Sequence, residues 1–142
     1  MYRCTAAVAL ALGVLCSTAA AADTLNMTLN MRSWHHVPDP EDEPFNEKNF
    51  GLGLEYNYYR VGFYDNCYNT TSYYVGLGAE QRMAPWLAFG AELYLITGYR
   101  SALGYRALPM PALTVAVGPE RLNARFFSNG VVTALQVRAA AW

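Results

Sequence analysis

TLNMTLNMRSW, residues 24–34, decides the fold of this 142-residue chain. Leu25, Met27, Leu29 and Met31 fall on one face of an extended chain, and Asn26, Thr28, Asn30 and Arg32 on the other. Successive side chains of a strand point to opposite faces, so this period of two predicts a strand with one apolar and one polar face. The pattern recurs in FGLGLEYNY, residues 50–58, where Phe50, Leu52, Leu54, Tyr56 and Tyr58 alternate with Gly51, Gly53, Glu55 and Asn57. A turn near Asn57–Arg60 leads into a third strand from Val61 to about Asn66. A fourth strand sets Tyr73, Val75, Leu77 and Ala79 against Ser72, Tyr74, Gly76, Gly78, Glu80 and Arg82. Ala84-Pro85 breaks it, and a fifth carries Leu87, Phe89, Ala91, Leu93 and Leu95 outward.

Residues 99–111 read as a connection, because Pro109 and Pro111 cannot donate to a ladder and should interrupt pairing. Strands six, seven and eight are expected at about Ala112–Gly118, Leu122–Phe127 and from Val131 onward, with Ser128-Asn129-Gly130 as a hairpin turn. The expectation is all-β: an eight-stranded antiparallel transmembrane β-barrel of outer-membrane type, with lipid outside and a packed, polar interior. A soluble β-sandwich shares the alternation but does not need so many long strands with a uniformly aliphatic and aromatic exposed set.

Residues 1–22 read as a cleavable signal peptide: Arg3, an apolar run over 6–15, and Ala20-Ala21-Ala22 before Asp23. Cys16 opens a lipoprotein alternative, against which stands Leu15 where a small residue is wanted. Residues 23–142 then form one barrel domain, placed in the bacterial outer membrane. The composition is 54% hydrophobic and 15% charged, which suits a surface that must match lipid. A net charge of −1 and a single lysine, Lys48, argue against a nucleic-acid partner. Glu55, Glu80 and Glu92 are expected to meet Arg32, Arg60, Arg82, Arg100 and Arg138 in a buried network, because unpaired interior charges are costly. Tyr56, Tyr58, Tyr59, Tyr73, Tyr74 and Tyr99 look like interfacial girdles. Trp142 is expected at the periplasmic interface.

The residues with chemistry lie at one rim. His35 ends strand one and Asn66-Cys67 ends strand three. With the N-terminus in the periplasm, both ends face outward. A histidine base and a thiol nucleophile brought together there suit acyl transfer. The alternatives are a solvated histidine, or His35 and His36 with the acidic stretch Asp39, Glu41, Asp42, Glu43 and Glu47 as a metal site. Adjacent strand residues point apart, so such a pair chelates poorly. No cofactor is implied.

In order and spacing the chain resembles the lipid A palmitoyltransferase (PagP) family. Trp34-His35 stands at the end of strand one. Asn46-Glu47-Lys48-Asn49-Phe50-Gly51 leads into strand two. Asn66-Cys67 is followed without a gap by Gly76-Leu77-Gly78, and Leu108-Pro109 precedes strand six. The resemblance covers about residues 30–138. It implies an eight-stranded outer-membrane enzyme that moves a palmitoyl chain from phospholipid to lipid A, with lipid and the barrel-assembly machinery as partners and a monomeric state. By position it assigns rim roles to His35, Asn66 and Cys67, and an acyl pocket to Gly76 and Gly78.

The chain departs from the family where Asn66 replaces a carboxylate and Cys67 a hydroxyl. Asn30, Asn49 and Leu113 stand where prolines open lateral gates, and the helix preceding strand one has no counterpart. Another lipid reaction such as deacylation is the enzymatic variant. The alternative class is a non-enzymatic small barrel with a structural, binding or surface-modifying role.

Overall fold

The alternation closes on itself. The computed structural model describes residues 24–37, 45–99, 104 and 106–141. The expected signal peptide, Arg100, Trp142 and most of the acidic stretch lie outside these residues. Eight strands follow one another round a closed antiparallel barrel: β1 (Leu25–His35), β2 (Gly51–Tyr56), β3 (Tyr59–Asp65), β4 (Thr71–Ala84), β5 (Leu87–Ile96), β6 (Leu108–Val117), β7 (Leu122–Ser128) and β8 (Val132–Ala140). β8 pairs back to β1, so no sheet edge runs the full height of the wall.

The two faces are inverted relative to a water-soluble barrel. Leu29, Leu54, Val61, Val75, Leu93 and Leu113 are exposed on the outside, while Thr28, Glu55, Arg60, Arg125, Gln136 and Arg138 are buried inside. One end is built from tight turns. Asn57 occupies the left-handed region (φ 52°) in the β2–β3 turn, a conformation asparagine tolerates well. Pro85-Trp86 joins β4 to β5. Among the described residues, the opposite end carries 36–37, 45–50, 66–70, 97–99 and 129–131. Tyr56, Tyr59 and Trp86 are exposed at the tight-turn end, and Phe50, Phe63 and Tyr73 toward the other. Tyr99 is not part of a girdle, since it packs against the interior cluster of Tyr74, Tyr94 and Ile96, and neither is Tyr74. It points inward and is 6% exposed.

Two expectations about β6 are corrected. The strand begins at Leu108, and Pro109 and Pro111 pair in register with Leu95 and Leu93 instead of interrupting the ladder. Both prolines face outward and are exposed. A proline in a non-hydrogen-bonded pair directs its nitrogen toward the strand on the other side. Over 108–112 β6 has no β7 partner, since that ladder runs only from Leu113 to Val117. The missing N–H groups therefore cost no ladder bond.

The lower half of the interior is a layer of charge centred on Arg125, which is fully buried. Arg125 pairs with Glu55, Glu92 and Glu80, the last at 2.9 Å. Arg138 reaches Glu80 at 2.8 Å and Glu55 at 3.5 Å. Arg60 lies 3.4 Å from Glu55 and 3.6 Å from Glu92. Three carboxylates thus face three guanidinium groups with no net charge.

The expected glutamates and two of the expected arginines, Arg60 and Arg138, are in the network, but Arg32 and Arg82 are not. Arg32 is exposed and pairs with Glu47 at 2.9 Å. Arg82 turns to the Pro85 carbonyl at 2.9 Å. Arg125, alternating with the outward Ala124 and Phe126, takes the central place. Arg125→Ala leaves three buried carboxylates facing two arginines. It should lower stability by about 3–5 kcal/mol in equilibrium urea unfolding from micelles. Arg32→Ala, which cuts an exposed pair, should cost no more than about 1 kcal/mol.

Candidate functional site

Strict alternation would aim His35 at the outside, in phase with Leu25, Met27 and Leu29. It does not, because the pairing of β1 with β8 slips between Asn30 and Arg32. One extra residue at Met31 bulges the strand and reverses the parity beyond it. Arg32 turns out to solvent, while Ser33 is buried and His35 faces the interior. The imidazole stacks on Phe45, with ring centroids 4.0 Å apart and planes 23° from parallel. Phe45 packs edge-on to Tyr68 at 5.8 Å, and Tyr68 edge-on to Tyr99 at 6.1 Å. The Tyr99 and Tyr64 hydroxyls share a hydrogen bond of 3.0 Å. Burial first, then the neighbouring Tyr64 hydroxyl, pushes the Tyr99 phenol above its ordinary range and keeps it neutral. His36 points the other way and shares a 2.8 Å hydrogen bond with Thr133.

Beneath this aromatic arc lies a cavity whose wall includes both His35 and Cys67. The two candidate chemical groups, from β1 and from the β3–β4 turn, therefore share one space. Its sides are apolar, formed by Ile96, Met110, Phe127, Val132 and Ala134. Tyr74 and Tyr94 cross edge-to-face at 5.4 Å at its lower end, beside Asn30 and Gln136. The Tyr94 hydroxyl donates to Glu92, which fixes this floor to the charged layer below.

The pocket expected at Gly76 and Gly78 lies lower than the cavity, and both positions are filled. A Cβ on Gly76 would meet Tyr94 Cδ1 at 2.5 Å, and one on Gly78 would meet the Glu92 side chain at 2.9 Å. Neither glycine borders the cavity. Their lack of a side chain admits Tyr94 and Glu92, and those two residues set the depth.

Asn66 also has a different place from the one expected. It is fully buried and does not line the cavity. Its amide nitrogen donates to Thr70 Oγ1 at 2.7 Å, Ser72 Oγ at 3.0 Å and the Gly98 carbonyl at 3.2 Å. Its oxygen accepts from the backbone N–H groups of Tyr68 and Thr70, at 2.9 and 3.1 Å. A carboxylate could accept those two bonds but could not donate to Gly98. The amide is thus suited to tying the turn that carries Cys67 to the end of β5, and Asn66 acts as a brace.

At the height of the cavity the wall is incompletely laddered in two places. The β1–β2 ladder ends at Asn30 and Gly51. Above it Ser33 donates its N–H to the Glu47 carbonyl at 2.9 Å and its hydroxyl to Asn49 Oδ1. Asn49 in turn donates to the Asp65 carbonyl at 2.9 Å. The second place is the stretch of β6 above Leu113 that has no β7 partner. Among the described residues no group of three His, Cys, Asp or Glu side chains is placed to hold a metal.

No protein-family model matches the chain, and no curated protein matches it. Its chemistry therefore rests on the geometry alone. Of the rim residues, sequence reasoning missed Phe45, Tyr64 and Tyr68, whose aromatic spacing carries no period of two. The bulge gives a direct test. A bifunctional thiol crosslinker should join Cys67 to the cysteine introduced by His35→Cys. Deleting Met31 removes only the extra residue, because Asn30 and Arg32 already face the consecutive residues Gln136 and Leu135. Position 35 should then stay inward and the crosslink should persist in a barrel that still folds, while Trp34→Cys in place of His35→Cys, one residue out of phase, should give none.

Proposed function

We propose that this chain is an outer-membrane barrel that binds an acyl chain in its upper lumen and transfers it from a phospholipid to an acceptor hydroxyl, lipid A being the acceptor suggested by the resemblance. The observation that carries this is the shared apolar cavity with His35 and Cys67 in its wall. An aliphatic exterior round a polar interior supports a membrane location, and tight turns at one end with longer connections at the other support the orientation. The unladdered stretches of β1–β2 and β6–β7 at cavity height supply places where a lipid chain could pass through the wall.

In this mechanism His35 takes the Cys67 proton and the thiolate adds to the ester carbonyl of the donor. The carbon–oxygen ester bond breaks, and the lysophospholipid oxygen receives the proton from the imidazolium. An acceptor hydroxyl then attacks the thioester while His35 removes its proton, and the thiol is regenerated by that proton's return. Phe45 holds the imidazole plane, and the apolar walls exclude water that would divert the thioester to hydrolysis.

The second reading is a lipid-binding barrel without catalysis. It is favoured by Asn66, whose position in the resemblance calls for a carboxylate and which is instead occupied in bracing its turn. Mass spectrometry of lipids from cells expressing the chain separates the two. The enzyme should add one acyl chain per acceptor. His35→Ala should reduce that product by about 10²–10⁴-fold, the usual worth of a general base, with insertion unchanged. A lipid profile identical with and without the chain, despite correct insertion, rejects catalysis.

A further inference from the structure

The floor of the cavity is not apolar. Asn30 and Gln136 are 6% and 4% exposed, and both line the cavity. Gln136 donates its amide to Asn30 Oδ1. That single bond leaves Gln136 Oε1 without a hydrogen-bond partner, and leaves Asn30 Nδ2 with the neighbouring Tyr74 phenol oxygen as its nearest acceptor. An open acceptor and a weakly held donor thus lie side by side, next to the Tyr74 phenol, at the closed end of the cavity, below its apolar sides and away from the polar groups Ser33, His35, Asn49 and Cys67 higher in the wall. Buried polar groups in such a setting demand a partner. A single hydroxyl satisfies both, because it donates one hydrogen bond and accepts others. A plain hydrocarbon end satisfies neither.

The distance from the chemistry matters too. β1 descends from His35 to Asn30 by roughly 10 Å along the barrel axis, because the bulge leaves the two residues opposite Val132 and Gln136, four steps apart on β8, at about 3.3 Å per residue and a tilt of about 40°. A hydroxyl at the floor is therefore remote from a carbonyl held at the rim. Tyr94 and Glu92 block a deeper path, so the chain that fits ends near this pair.

Resting on the acyl-binding reading above, we propose that the cavity selects a medium-length acyl chain with a hydroxyl at or near its far end, read by Asn30 and Gln136. The acyl group could arrive as a free hydroxy acid or esterified in a lipid, and both forms present the same far end to the floor.

The test uses the full barrel folded in micelles and titrated with decanoic acid, 10-hydroxydecanoic acid and 3-hydroxydecanoic acid, followed by NMR of the side-chain amides. The phosphocholine ester of the 10-hydroxy chain forms a parallel arm that separates the free from the esterified source. The 10-hydroxy chain should bind about tenfold more tightly than decanoic acid and should shift the Asn30 and Gln136 amide signals. The 3-hydroxy chain should show no such gain. The double variant Asn30→Val, Gln136→Leu should bind decanoic acid at least as well and lose the preference, with folding checked by its mobility in unheated gels. The wild-type comparison stands even where that variant does not fold. Equal binding of decanoic and 10-hydroxydecanoic acid overturns this proposal alone. So does a floor that holds only water while the chains bind. Failure of every chain to bind overturns the acyl-binding reading as well.

Discussion

The barrel depends on Arg125. A closed eight-stranded sheet leaves an interior only wide enough for side chains, so whatever the inward positions carry must be packed and paired. Glu55, Glu80 and Glu92 come from three different strands, and each is in contact with this one guanidinium. Arginine suits the position because its planar fork offers several donors at fixed angles and stays charged when desolvated. Arg60 and Arg138 bring the layer to neutrality. The result is a plug of paired charge in the lower lumen, with the cavity above it.

Everything above the plug follows from where it stops. Tyr94 is bonded to Glu92 and crossed by Tyr74, so the charged layer and the aromatic floor form one unit. The glycines that would have opened a longer tunnel are spent on accommodating Tyr94 and Glu92. The cavity is therefore short, apolar on its sides and polar at its end. The rim is held from several directions: Asn66 braces the Cys67 turn, Phe45 stacks on His35, and Ser33 with Asn49 bridges the gap above the β1–β2 ladder.

Much of this was legible in the residues one strand at a time. The period of two in 24–34 and 50–58 placed strands and faces, and Glu55, Glu80 and Glu92 were readable as inward charges. Arg125 was equally readable from its alternation with Ala124 and Phe126, and was missed because the seventh strand is short. Arg32 was misassigned for a different reason. A bulge adds a residue without any mark in local composition, and every face assignment beyond it reverses. Pro109 and Pro111 misled because their effect depends on whether a neighbouring strand needs their N–H. Asn66 looked like a rim residue by position, but its partners lie on the turn after β3, at the start of β4 and beyond β5.

The sequence by itself determined the strand count, the two-faced pattern and the inward carboxylates, because side-chain alternation is a local property of extended backbone. Only the tertiary structure decided that His35 faces inward, that Arg125 is the shared partner, and that the lumen ends at Tyr74 and Tyr94. Those outcomes depend on register between strands distant in the chain. A one-residue slip between β1 and β8 moves a histidine from the outer face to the cavity wall.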